Sequence, residues 1–276
     1  MPAQPETEQP SSPRTLRARR TDPDATRFDP LFFEKDPLFW PIAAAAAVFR
    51  GYLDWPPVED YARAFRGAPL PISFEPARPK PRRSRRRAAG EPEAAVDLGA
   101  LYDGRITLTR SVPTRPRSWH DFLNALIWAT FPAAKSALHA RQYAAMSTHV
   151  PASAIRLPNA RTRELDALAM LDEGGVIVAA REASGPADAR DALIFGHALY
   201  EGLVLGGRAM IARYLAISEG LPEGASDGTM FGPGDLGDVD DALAARLADA
   251  ARPILPESLP RVALQSLRIP SAQLGI

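Results

Sequence analysis

Three short constellations carry the residue types from which chemistry is made. The first is Trp119-His120-Asp121-Phe122-Leu123-Asn124-Ala125-Leu126-Ile127-Trp128. At about 100° per helical residue, His120, Asp121, Asn124 and Trp128 fall on one arc beside an apolar stripe. That arc offers a titratable ring, a carboxylate and an orientable amide at fixed spacing, as a polar pocket wall does. A helix start in which Asp121 favours the dipole and the other two satisfy backbone groups is the plainer reading. The second constellation is Lys135, which shares a helical face with Leu138, His139, Gln142 and Met146. Arg is the default cation here, with 30 Arg to three Lys, so a retained lysine suggests a compact charge or a reactive amine. A snorkelling first-turn side chain serves as its structural alternative. The third is His197 with Glu201, one turn apart, a spacing that ligates one metal ion or orients an imidazole. Chance supplies about 0.4 such pairs in a chain with four His and 14 Glu, so the spacing argues little by itself. Flanking Phe195, Leu199 and Val204 favour partial burial of the pair.

Composition removes other chemistries. The chain has 276 residues, 46% apolar and 24% charged, which suits a globular core. Without cysteine there is no disulfide framework, thiol nucleophile or thiolate metal site. P-loop, G-x-G-x-x-G, H-E-x-x-H, EF-hand and G-x-S-x-G patterns do not occur, which takes support from nucleotide-dependent and serine-hydrolase classes. The net charge of zero hides asymmetry: residues 1–90 hold 16 basic and 11 acidic groups, and the remainder 17 and 22. Much of the excess lies in Arg78, Lys80, Arg82, Arg83, Arg85, Arg86 and Arg87, which could make weak, non-specific contact with nucleic acid. No aromatic residue interrupts that run, so a solvated loop is its simpler role.

The elements that must position these residues follow from periodicity and punctuation. The first 27 residues are polar and Pro-rich and are expected to be disordered. No secretory signal or spanning segment is apparent, which leads to the expectation of a soluble, cytoplasmic protein outside any membrane. Residues 28–276 are expected to form one globular domain, interrupted by a basic Pro/Arg-rich loop at about 76–95. Helices are predicted near 36–51, 58–66, 118–130, 132–146, 184–217 and 238–251, the long one bent or broken near Gly206-Gly207. Residues 105–110 alternate at period two and read as a strand. Asp172-Glu173-Gly174-Gly175 reads as a turn between strands, although its first arm suits the end of a helix equally well. The tail from Pro253 is expected along the surface. The fold class is therefore α+β, predominantly helical with a few short strands in one small sheet or hairpin, without βαβ alternation.

The first constellation, continued to Phe131-Pro132 and Lys135, resembles a bacterial family catalogued as domain of unknown function 3025. The likeness runs on through Asp172-Glu173-Gly174 and Phe195-Gly196-His197-Ala198-Leu199 with Glu201. It implies no activity, but it groups His120, Asp121, Asn124, Lys135, Asp172, Glu173, His197 and Glu201. The basic run and the end after Leu255 depart from the family pattern.

Three functional readings stand, the third being an accessory protein that meets RNA or DNA through the basic run at residues 78–87. In the first, the His120/Asp121/Asn124 helix start meets the His197/Glu201 helix in a pocket for hydrolytic or acid–base chemistry. His120 or His197 is then the base, Asp121 or Glu201 orients it, and Lys135 stabilises negative charge. A divalent metal held by His120, Asp121, His197 and Glu201 is another form of this idea. In the second, the same residues form a structural hydrogen-bond network in a non-catalytic binding or scaffold module.

Overall fold

The computed structural model describes residues 27–66, 71–77, 94–179, 192–207, 209–221 and 232–266. Residues 1–26, which make up nearly all of the expected polar tail, and the cations Arg78 to Arg87 lie outside them. Among the described residues the architecture is helical α+β with two small sheets. Helices α1 (Trp40–Ala46), α2 (Tyr102–Gly104, a single turn), α3 (Trp119–Thr130), α4 (Pro132–His149), α5 (Arg163–Gly174), α6 (His197–Val204) and α7 (Leu236–Ala248) surround the sheets. Strands β1 (Ser73–Pro76) and β2 (Ser111–Thr114) form a parallel pair. A four-stranded sheet has the order β4-β3-β5-β6, with β3 (Gly175–Ala179), β4 (Ala192–Ile194), β5 (Ile211–Ile217) and β6 (Arg261–Ala263). Among the described residues, no helix is long and apolar enough to cross a membrane.

The central helix is α3. Ser118 accepts the Asp121 N–H at its start, and the buried stripe Trp119, Phe122, Leu123 and Leu126 faces the amino-terminal segment. There Phe28, Phe32 and Trp55 pack around Trp119 and Phe122, with ring centroids 4.9–6.4 Å apart. With this face consumed by the core, His120 is turned toward α6. Pro132 then opens α4, whose N-terminal donors, left without partners inside the helix, are met from another helix: Asp240 on α7 accepts from Ala133 and Ala134 at 2.9 and 2.8 Å.

Four expectations need correction. Residues 105–110 form no strand: residues 105–109 wind as a π-helical turn, and the chain reverses at Arg110 in a left-handed conformation (φ 55°) before β2. Short alternation over six residues fits a helix edge as well as a strand. Asp172 and Glu173 are not a hairpin turn but the last turn of α5, which Thr162 caps and which passes directly into β3. The long helix predicted for 184–217 is replaced, within the described residues, by β4, α6 and β5, and β3 lies parallel to β5 with α6 between them in sequence. Finally, the carboxy-terminal stretch buries Ile254, Leu259 and Leu264 and supplies an edge strand, because Pro-punctuated chain still carries apolar side chains worth burying.

Candidate metal centre

Glycine decides how closely the two halves of the site approach. Phe195 and Gly196 donate to the Gly175 carbonyl at 3.0 and 2.8 Å, laying the β4–α6 turn on the α5–β3 junction. A Cβ on Gly196 would stand 2.4 Å from the Gly175 nitrogen and 2.5 Å from the Glu173 carbonyl oxygen, so only glycine permits this contact. The next residue, His197, is thereby set beside Asp172 and Glu173. Helix α3 packs against α6 and brings His120 to the same point.

Three groups converge there. The Nε2 atoms of His120 and His197 are 3.0 Å apart, and Glu173 Oε2 lies 3.5 Å from His197 Nε2 and 3.9 Å from His120 Nε2. They form the one group of His and acidic side chains, among the described residues, whose ligand atoms are close enough to share an ion. A tetrahedral ion with ligands at about 2.0–2.1 Å sets neighbouring ligand atoms roughly 3.3 Å apart, close to these separations. His197 is buried, His120 is half-buried, and Glu173 opens to solvent.

Outer groups orient the rings. His120 Nδ1 donates to Glu201 Oε2 at 3.0 Å, which leaves the Nε2 lone pair facing inward. This bond raises the His120 pKa against the opposing effect of burial, with Glu173 and Glu201 adding attraction. His197 behaves oppositely: burial holds it down at about 3, with Lys135 and His120 working in the same direction against Asp172. It is therefore a neutral ring at ordinary pH. Its Nδ1 makes no hydrogen bond of ordinary geometry and lies 3.9 Å from Asp172 Oδ1. Burial also raises Glu173, a shift that the neighbouring carboxylates reinforce and His120 opposes.

Behind this centre, Lys135 is fully buried and donates to Asp172 Oδ1 at 2.5 Å. Burial alone would raise Asp172, but Lys135, with His197 and His139, holds it below the usual carboxylate range. Lys135 therefore neutralises a carboxylate and does not present a free amine.

The sequence candidates thus separate. His120, His197 and Glu201 meet, as expected, but Glu201 grips the outer nitrogen of His120 and is not one of the converging three. Asp121 is bound by Arg115, through the backbone N–H at 2.5 Å and the guanidinium at 2.7 Å, and so orients neither histidine. Asn124 is buried and donates to Tyr102 at 3.1 Å, and it is not one of the converging three. Glu173 was singled out by its adjacent carboxylate and by the family likeness, yet was not placed among the ligands. His139 pairs with Asp103 at 2.9 Å and stacks on Trp128, 5.5 Å between centroids. The signal for it was its place on the Lys135 face.

A family model described as "Protein of unknown function (DUF3025)" matches residues 92–188. That segment contains His120, Asp121, Asn124, Lys135, Asp172 and Glu173, and ends before His197 and Glu201. No curated protein and no solved structure matches the chain.

Proposed function

We propose that the protein is a divalent-metal-dependent hydrolase whose ion is held by His120 Nε2, His197 Nε2 and Glu173 Oε2. The family match lends no activity, so the reading stands on the site. Two histidines and one carboxylate leave a tetrahedral ion one open position, the arrangement of catalytic rather than structural zinc. An ion bound there supplies Lewis acidity and lowers the pKa of a coordinated water toward neutrality. Glu201 fixes the His120 ring, and Asp172, neutralised by Lys135, faces the outer nitrogen of His197.

The convergence of His120 Nε2, His197 Nε2 and Glu173 Oε2 is the observation that carries the reading. The 3.0 Å Nε2 to Nε2 distance also suits a simple hydrogen bond from His197 to His120, as a structural network requires. In that tautomer, however, the His197 Nδ1 lone pair faces the Asp172 carboxylate, an unfavourable arrangement in a buried site. The other tautomer turns His197 Nδ1–H toward Asp172 and points its Nε2 lone pair at His120 Nε2, where either a metal ion or the second proton of His120, whose pKa Glu201 raises, meets it.

Hydrolysis of a p-nitrophenyl ester by purified protein tests the proposal. Activity is expected to fall on EDTA treatment, to return with one equivalent of zinc, and to be absent in His197→Ala. Turnover unaffected by EDTA and by His197→Ala overturns it.

A further inference from the structure

We propose that the cleft between α4 and α5 binds a short peptide in one direction, with its amino end toward Asp103 and Glu173 and its free carboxylate at Arg161. The proposal concerns binding alone and does not depend on an ion at the centre described above. The cleft has a volume of about 490 Å³ and is lined from α2, α4, α5 and the loop joining α4 to α5. Such a volume suits a small organic ligand.

Charge separates along its length. α4 and α5 run antiparallel, since Lys135 near the start of α4 meets Asp172 near the end of α5, and Arg141 meets Glu164 at the opposite end of α5. The lining carboxylates Asp103, Asp172 and Glu173 therefore gather toward one end, with His139 beside them. His149 closes α4 and Arg161 stands just before α5, so both lie toward the other end, where Asn159 joins them in the wall. Along α4, His139 and His149 are ten residues apart, about 15 Å of helix, and Arg163 to Glu173 spans about the same on α5. Lining side chains reach inward from both ends, and an extended chain covers about 3.3–3.6 Å per residue, which fits three or four residues.

Each end lacks its complement. Arg161 is exposed and has no ion-pair or hydrogen-bond partner among the described residues. A guanidinium grips a carboxylate through two N–H groups, and His149 and Asn159 add donors around it. At the other end the buried Lys135 neutralises Asp172 and His139 holds one oxygen of Asp103, while Glu173 opens to solvent. A carboxylate is repelled there and an ammonium attracted; at Arg161 the signs reverse. A single amino acid carries its two charges too close together to reach both ends. Between them Met146, Leu165 and Ala169 give the middle of the peptide apolar contact.

Calorimetric titration of EDTA-treated protein with tetraalanine, N-acetyl-tetraalanine, tetraalanine amide and dialanine tests this. Tetraalanine is expected to bind at least tenfold more tightly than each of the other three. Arg161→Met removes the partner of the carboxylate from an exposed position. It should weaken tetraalanine at least tenfold, leave the amide unchanged and leave the melting temperature at the wild-type value. Asp103→Asn should likewise weaken tetraalanine and leave the N-acetyl form unchanged. Absence of tetraalanine binding, equal binding of free and capped peptides, or an Arg161→Met protein that still prefers tetraalanine to its amide overturns the proposal. A separate zinc titration distinguishes the two sites: protein that binds tetraalanine in this direction but takes up no zinc overturns the metal centre and leaves the peptide cleft standing.

Discussion

At the scale of single residues, the buried Lys135–Asp172 pair has the largest consequence for stability. Two charges removed from water are tolerable because they neutralise each other at 2.5 Å. Asp172→Leu leaves an uncompensated ammonium and is expected to cost about 3–5 kcal/mol in denaturant unfolding. Adding Lys135→Met should recover most of that loss, since an apolar pair of similar volume avoids both desolvation costs. A double variant no more stable than Asp172→Leu would contradict this account. In the proposed centre Glu201 would act on an ion through His120, so Glu201→Gln should weaken zinc binding about 10–100-fold without preventing folding. Unchanged affinity on titration would show that the ring needs no such support. His120, His197 and Glu201 were legible in the sequence because rare side chains at helical spacing stand out in an Ala- and Arg-rich chain. Glu173 was not, because its role depends on where the end of α5 lies relative to α6.

At the scale of elements, junctions matter more than helix lengths. Gly196 allows two turns to touch, and Gly196→Ala drives a Cβ into backbone atoms that have nowhere to move. A loss of about 2 kcal/mol or more in stability, together with weaker zinc binding, is expected. Wild-type stability in this variant would show that the junction relaxes freely. Asp240 caps α4 from α7, and burial pushes its pKa up to about 6 despite the Ala134 and Ala133 N–H groups. For a carboxylate raised in the folded state, the protonated form is favoured by folding, so its contribution declines as pH rises from about 4 through 6. Asp240→Asn lacks this titration. Its stability deficit relative to wild type is therefore expected to shrink by about 2–3 kcal/mol between pH 4 and pH 7.5. A constant deficit would place the Asp240 pKa near its ordinary value. The same junctions explain which elements the sequence revealed. Ser118 and Pro132 announced α3 and α4 through local capping chemistry. By contrast, residues 105–109 and the α5–β3 junction depend on tertiary packing that a six-residue pattern does not encode.

At the scale of the whole molecule, the fold places two apolar demands around one polar seam. The aromatic cluster beneath α3 consumes one face of that helix, and the four-stranded sheet supports α5 and α6. Near both lie the converging histidines and the Lys135–Asp172 pair. The helical α+β class was readable from composition and periodicity; the parallel β3–β5 pairing was not, because three-residue β4 and the neighbouring α6 form a single apolar pattern. The central claim is that this seam holds an ion. Zinc titration of the metal-free protein by calorimetry, alongside His120→Ala, Glu173→Ala and His197→Ala, tests it most directly. One equivalent is expected to bind to wild type, with affinity lost by at least a hundredfold in each variant. A wild-type protein that takes up no zinc, or variants that bind it as tightly, would contradict the account.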